Sequence, residues 1–480
     1  MNILYKLSHK EVFGFFEELT AIPRTSGNEQ QVSDYLVNFA KERGLEVFQD
    51  KALNVIIKKN GTKGYEKLEP VIIQGHMDMV GEKTSTSTHD FSKDPLKLRI
   101  VDDFIYATDT TLGGDNGIAV AYGLAILDAK KLKHPPLELL ITTDEETGMF
   151  GAAALSAENL SGKTLLNIDT EEEGIFIVSC AGGLTSTVTF SPKYQDLSGI
   201  VMEVSVTDLQ GGHSGMEIIK QRGNAIKLLG RVLNRLNVEV EIKLVTMKGG
   251  AKHNAISREA YATIAFPEEN KVQVSEIIKE MDTIFKAENR VEDPKIKVSI
   301  KKASGDQMMT TNSSKKIIGY MMTVPDGIQR MSSDIKGLVE SSLNLGVLED
   351  IAGKIVFTHA VRSSRKSKKA EITQTLATLA GLTGGVVNNT GDYPEWQYEE
   401  DSKIRKIAIE TYKGLYKKEP EISAIHAGLE CGLLKKLLQG TDMISFGPNL
   451  FDVHTPGEHM SISSIERTYT FLTTLLENLK

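Results

Sequence analysis

Several separated stretches of the chain place imidazole and carboxylate groups just where an apolar run stops. Residues 70–80 read PVIIQGHMDMV, so Val71, Ile72 and Ile73 lead through Gly75 to His76 and Asp78. Residues 111–117 read TLGGDNG, with Asp115 at the entrance to the apolar run IAVAYGLAILDA. The run 137–143 delivers Asp144, Glu145 and Glu146, and the run 165–168 is followed by Asp169. Near the end, GPNLFDVHTPGEHM at 447–460 offers His454, with His459 as its competitor. His454 is preferred, because Thr455-Pro456-Gly457 stiffen the loop behind it and Glu458 can orient its ring. Taken singly, these are a loop histidine, a helix N-cap aspartate and a solvated acidic turn. Their repetition at the ends of buried-looking strands points to a site.

The chemistry follows from the donor types. His76, Asp115, Glu146, Asp169 and His454 supply two imidazoles and three carboxylates. A single zinc ion needs about three protein ligands and a water, so this set is too rich for one. It suits two divalent ions, zinc or alternatively manganese or cobalt, with one carboxylate bridging and a hydroxide between them. A further carboxylate is then needed as general base, and Glu145 is available. On extended backbone, neighbouring side chains point to opposite faces, so Glu145 and Glu146 should not bind the same ion. Spacing alone does not say which is base and which is ligand.

The elements that must position these groups alternate between strand and helix. Short apolar runs alternating with helical patterns predict an α/β fold with a mostly parallel sheet, whose carboxyl ends share one edge. Ser8 with Glu11 and Ser463 with Glu466 have capping-box spacing at the first and last helices. Helices are expected at about 29–43 and 401–416, and a hairpin at 98–107. From Gly182 onward, short alternating strands (VMEVSV, VEVEIKLV, AYATIAF, IKVSI) separate helices near 217–236, 272–289 and 366–380. This strand–helix–strand–strand–helix–strand order predicts an inserted α+β, ferredoxin-like domain, with a second copy at about 310–385. The expected domains are 1–183 (catalytic, first segment), 184–389 (inserted) and 390–480 (catalytic, second segment).

Composition narrows the function classes. A net charge of −8 leaves no basic footprint, so nucleic acid is not an expected partner. Two cysteines, Cys180 and Cys431, do not make a disulfide scaffold and fit a reducing, cytoplasmic setting. No apolar run reaches membrane-spanning length, and the first residues, MNILYKLSHKE, have no signal-peptide core. Neither membrane insertion nor secretion is expected.

In order and context, HMDMV, GGDNG, TTDEETG, NIDTEEEG and HTPGE resemble the co-catalytic zinc metallopeptidases, the group of carboxypeptidase G, peptidase T and peptidase V. GGHSG at 211–215, VRSS at 361–364, HAGLECG at 426–432 and the long insertion are similar to its aminoacylhistidine dipeptidase branch. The resemblance covers essentially the whole chain. It implies one zinc on His76, Asp115 and Asp169, and another on Asp115, Glu146 and His454. It also implies Glu145 as general base, Asp78 behind His76, and a cis peptide after Asp115. The inserted domain would act as a lid. There His213 would stabilise the oxyanion and Arg362 would grip the substrate carboxylate. Asn254 is a further candidate for substrate contact, and His426 and Glu430 for lining the pocket, with helix packing as the plain alternative for the last two. The acids 171–173 read as a solvated loop.

The implied activity is hydrolysis of small peptides, Xaa-His dipeptides including β-alanyl-histidine among them. An N-acyl amino-acid deacylase or a tripeptidase on the same scaffold is the nearest rival. A non-catalytic metal- or peptide-binding protein is a more distant one. Oligomeric state stays open, since an enlarged lid could replace a partner subunit or support a homodimer.

Overall fold

The apolar runs that end in acids and histidines lie side by side as parallel strands. Residues 3–480 are described by a computed structural model. The chain forms two compact units. Unit 1 comprises Met1–Ser179, Tyr398–Ala424 and Leu429–Lys480; unit 2 comprises Cys180–Gln397 and Ile425–Gly428. The short segment Ile425–Gly428 groups with unit 2, where Ile425 and Ala427 carbonyls accept from Ala181 N–H, each at 3.1 Å.

In unit 1, α1 (Lys10–Thr20) and α2 (Gln30–Glu42) precede β1 (Glu46–Gln49), β2 (Val55–Lys59) and β3 (Val71–His76). Then follow α3 (Gly114–Asp128), β4 (Leu137–Thr142), α4 (Glu145–Gly148), β5 (Thr164–Asn167) and β6 (Ile175–Cys180). The last segment supplies α5 (Lys403–Tyr416), β7 (Glu421–Ile425), α6 (Glu430–Leu437), β8 (Asp442–Ser445) and α7 (Ile462–Asn478). The sheet order is β1-β2-β4-β3-β5-β8-β6-β7. Its centre, β4-β3-β5-β8, is parallel throughout. β3 and β4 are buried at every position, as expected for strands covered on both faces. In register, His76 pairs with Thr142 and Gln74 with Asn167, so three strands stop at nearly the same level. The predicted hairpin forms as Leu98–Val101 and Phe104–Ala107, and it joins His459–Ser461 and Leu450–Phe451 in a separate four-stranded sheet.

Both expected capping boxes are replaced by other arrangements. The Ser8 hydroxyl bonds the Glu466 carboxylate, far along the chain, and α1 starts after His9 in a left-handed conformation. The last helix is capped by Ser461, whose hydroxyl accepts from Ser464 N–H at 3.2 Å. Ser463 instead donates to Asp103 at 2.8 Å. The spacing was right for a cap, but each hydroxyl had a tertiary acceptor within reach.

Unit 2 is built on one nine-stranded sheet. Strands Ile200–Thr207, Lys243–Gly249, Ala260–Phe266 and Lys297–Lys302, with helices Ala225–Val240 and Lys271–Glu288, form a ferredoxin-like unit. The segment VEVEIKLV, expected as strand, splits, because the first helix runs on through Val240, leaving Val238 74% exposed, and the strand starts only at Lys243. The second copy is present with a different start. Its first strand is Gly182–Phe190, upstream of the first copy, followed by Thr311–Thr323, Val339–Ile351, Lys354–Ser363, Lys366–Thr383 and Val386–Tyr393. One copy is thus inserted into the other, and Val204, Leu233, Phe285, Tyr320, Phe357 and Leu376 belong to one shared core. Among the described residues, no helix is long and apolar enough to cross a membrane.

Candidate metal centre

Unit 1 brings His76, Asp115, Glu145, Glu146, Asp169 and His454 to the carboxyl edge of its parallel strands. Donor atoms of His76, Asp115 and Asp169 lie within 4.8 Å of one another, as do those of Asp115, Glu146 and His454. Asp115 is common to both triads. Its Oδ1 is 3.1 Å from His76 Nε2, and its Oδ2 is 3.2 Å from His454 Nε2. His76 Nε2 also stands 3.6 Å from Asp169, and His454 Nε2 2.9 Å from Glu146. The Asp115–Asn116 peptide is cis.

Each donor is aimed by its backbone. His76 is the last residue of β3, with Nδ1 3.2 Å from the Asp78 carbonyl and 3.3 Å from its carboxylate, so Nε2 faces the cluster. Asp78 does more than orient that ring. Its carboxylate accepts from Glu145 N–H at 3.1 Å, Glu146 N–H at 3.2 Å and the Ser26 hydroxyl at 2.7 Å. Asp78 therefore caps α4, the short helix that carries both glutamates. Asp144 turns into that helix at φ 53°. Glu145 and Glu146 consequently occupy a helical turn and not the extended backbone expected from sequence. The donor atoms of both come within 4.8 Å of one another and of His76.

Two further charged groups hold the turn that presents Asp115. Glu458 does not back the His454 ring as expected. Its carboxylate accepts from the N–H groups of Leu112 (2.7 Å), Gly113 (2.9 Å), Gly114 (2.8 Å) and Asp115 (3.4 Å). These are the free donors at the start of α3, and an anion is favoured there. Arg24, which sequence reasoning missed, donates to the carbonyls of Met77, Asp78 and Gly113. His459 lies apart from the cluster, stacked between Tyr106 and Phe451 with ring centroids 4.6 and 5.0 Å away.

The electrostatics of the cluster record crowded carboxylates. Burial pushes Glu145 up to about 9 and raises Asp169. Burial opposes ionisation of Asp115 as well, yet His454 and His76 hold it well below the usual carboxylate range. Hydrogen bonds to Asp115 and Glu146 push His454 up to about 11. Protons on imidazole thus stand where cations would relieve the same repulsion. Two dications sharing Asp115 fit this donor set.

Glu430, expected at the pocket's far end, is fully buried at the start of α6. It accepts from Gln74 Nε2 at 2.6 Å and the Thr142 hydroxyl at 2.7 Å, tying β3 to β4 beneath the cluster. The acids 171–173 are not all solvated, since Glu173 forms a two-point ion pair with Arg467 at 2.7 Å each.

Within unit 2, His213 sits on a two-residue strand paired to Ala255. Its Nδ1 accepts from Gly215 N–H at 3.2 Å and Met216 N–H at 3.1 Å. That fixes the tautomer, with the proton on Nε2. Burial and neighbouring Arg362 pull His213 down, which keeps the ring neutral. Arg362 Nη1 donates to Tyr393 at 2.9 Å, while its buried Nε has no partner. His426 pairs with the Ser342 hydroxyl at 2.7 Å. The Asn254 carbonyl accepts from Ser214 N–H at 2.9 Å, next to His213.

A model of peptidase family M20/M25/M40 matches residues 72–478. The cytosol non-specific dipeptidase of Escherichia coli strain K12 is 36% identical over 482 residues, spanning 100% of this chain and 99% of its own. The crystal structure of aminoacylhistidine dipeptidase from Vibrio alginolyticus superposes with a TM-score of 0.94 at 37% identity, covering 99% of this chain and 97% of its own. Aminopeptidase PepT from Bacillus cereus shares the fold at a TM-score of 0.56 and 15% identity, covering 98% of this chain and 99% of its own.

Proposed function

The chain belongs to peptidase family M20/M25/M40, and on that premise we propose that it is a cytosolic dipeptidase working with two divalent cations. His76, Asp115 and Asp169 would hold one ion, and Asp115, Glu146 and His454 the other. Zinc suits these nitrogen and oxygen donors, and manganese and cobalt share them. When bound, the ions would supply an activated water and a polarised scissile carbonyl. The single observation that carries this reading is the sharing of Asp115, one oxygen to each histidine.

The rest is the work of the chain's own groups. Glu145 is the carboxylate left over from both triads, and its place beside Glu146 and His76 suits a base that must take a proton from water. It then hands that proton to the leaving amine. Asp78 aims His76 and fixes the glutamate turn together. The neutral His213 ring, with its proton on Nε2, is prepared to donate to a developing oxyanion. Arg362, with an unpaired Nε, is suited to the substrate's terminal carboxylate. Asn254 is a further substrate contact on this reading.

Dipeptides ending in histidine are included among the substrates, in keeping with the name of the Vibrio relative. The name of the Escherichia coli relative favours a broader range beyond them. The test is a panel of β-alanyl-histidine, Gly-His, Ala-Ala, a tripeptide and an N-acetyl amino acid. Dipeptides should be cleaved well ahead of the last two. Robust deacetylation without dipeptide cleavage would overturn the reading. Glu145→Ala should keep its metal and lose about 10²–10⁴-fold in kcat, as expected for a general base. Surviving turnover would remove Glu145 from that role.

A further inference from the structure

Arg24 lies in the loop between α1 and α2, outside the stretch matched by the family model. It is 2% exposed, and burying a guanidinium is costly unless its donors are engaged. Its partners are main-chain carbonyls. Nη1 donates to Met77 O at 2.8 Å and Asp78 O at 3.3 Å, and Nη2 donates to Gly113 O at 2.5 Å. Met77 and Asp78 follow directly on His76, and Gly113 stands two residues before Asp115. The planar fork therefore joins the exit of β3 to the entrance of α3.

Glu458 grips the same entrance by its amides, so the turn 112–115 is held between a cation on its carbonyl side and an anion on its N–H side. The sequence leaves room for this arrangement. A Cβ on Gly113 or on Gly117 would come within 2.5 Å of Arg24 Nη2. Gly113 also has φ +66°, which disfavours any side chain.

We propose that Arg24 is a positioning residue that sets the separation of His76 from Asp115, and through it the affinity for both cations. The inference rests on the two-cation reading above. Because Asp115 serves both triads, a shift of its turn disturbs both ions together, whereas loss of Asp169 or His454 touches one. A lysine cannot replace the fork, since an ammonium concentrates its donors at a single point.

The test compares the parent chain with Arg24→Met, Arg24→Lys and Gly117→Ala, each checked for folding by far-UV circular dichroism. Zn²⁺ affinity is read by chelator competition, and ligand geometry by the Co²⁺ absorption spectrum. Both ions should bind about 10–100-fold more weakly in Arg24→Met and Arg24→Lys alike, the usual scale for groups that orient ligands from behind. Gly117→Ala keeps the arginine but presses a methyl against it, and should shift affinity in the same direction with an altered Co²⁺ spectrum. Should Arg24→Met fail to fold, the other two variants decide. Unchanged affinity in folded variants, rescue by lysine, or weakening of one ion alone would overturn the inference. A parent chain that binds fewer than two ions would instead overturn the reading beneath it.

Discussion

The two triads share Asp115 yet occupy different settings. His76 and Asp169 keep side-chain exposures of 1% and 9%, whereas His454 is 46% exposed. His76 ends a fully buried strand and has its ring fixed on the Asp78 side. His454 projects from a loop at φ +62°, a conformation that non-glycine residues adopt at a cost. One half of the site is thus built into the sheet, and the other is completed by an exposed loop histidine whose ring is held only by Asp115 and Glu146. An inner cation held by the first triad should bind more tightly and exchange more slowly than an outer cation held by the second.

The sharpest way to break this comparison is to remove what the halves have in common. Asp115→Ala should lose both ions and bring dipeptide turnover to background; metal analysis showing one ion retained would mean the triads do not share it. A smaller but more discriminating effect comes from the two histidines. His454→Ala should bind one ion per chain and His76→Ala should lose the tighter one, as read by elemental analysis after gel filtration. The asymmetry also predicts two phases on chelation, a fast release from the outer triad and a slow one from the inner, followed by metal content against time. The smallest effect expected is that of Asp78→Asn. The amide keeps an acceptor for α4 but weakens the hold on His76, and should cost about 10–100-fold in inner-ion affinity with little change in folding.

Much of this site was legible in the sequence for a physical reason. Apolar runs such as Val71–Ile73 must be buried, and parallel strands must end on one edge, so a histidine or acid at each end converges with the others. The groups that hold those donors were not legible, because their partners are main-chain atoms distant along the chain. Arg24 reaches Gly113, and Glu458 reaches Leu112, across separations that no local spacing reports. The same limit applies to Ser8, whose hydroxyl found Glu466 in place of a helix end. It applies again to Gly182–Phe190, a strand that completes a motif whose remaining parts begin at Thr311. At Val238 local β-propensity lost to the continuing helix.

The account stands most directly on a titration of metal-free protein with Zn²⁺, followed by hydrolysis of a dipeptide. Two equivalents should bind per chain, and turnover should appear only as the triads fill. Full turnover in thoroughly chelated protein, or saturation at a single ion, would contradict it.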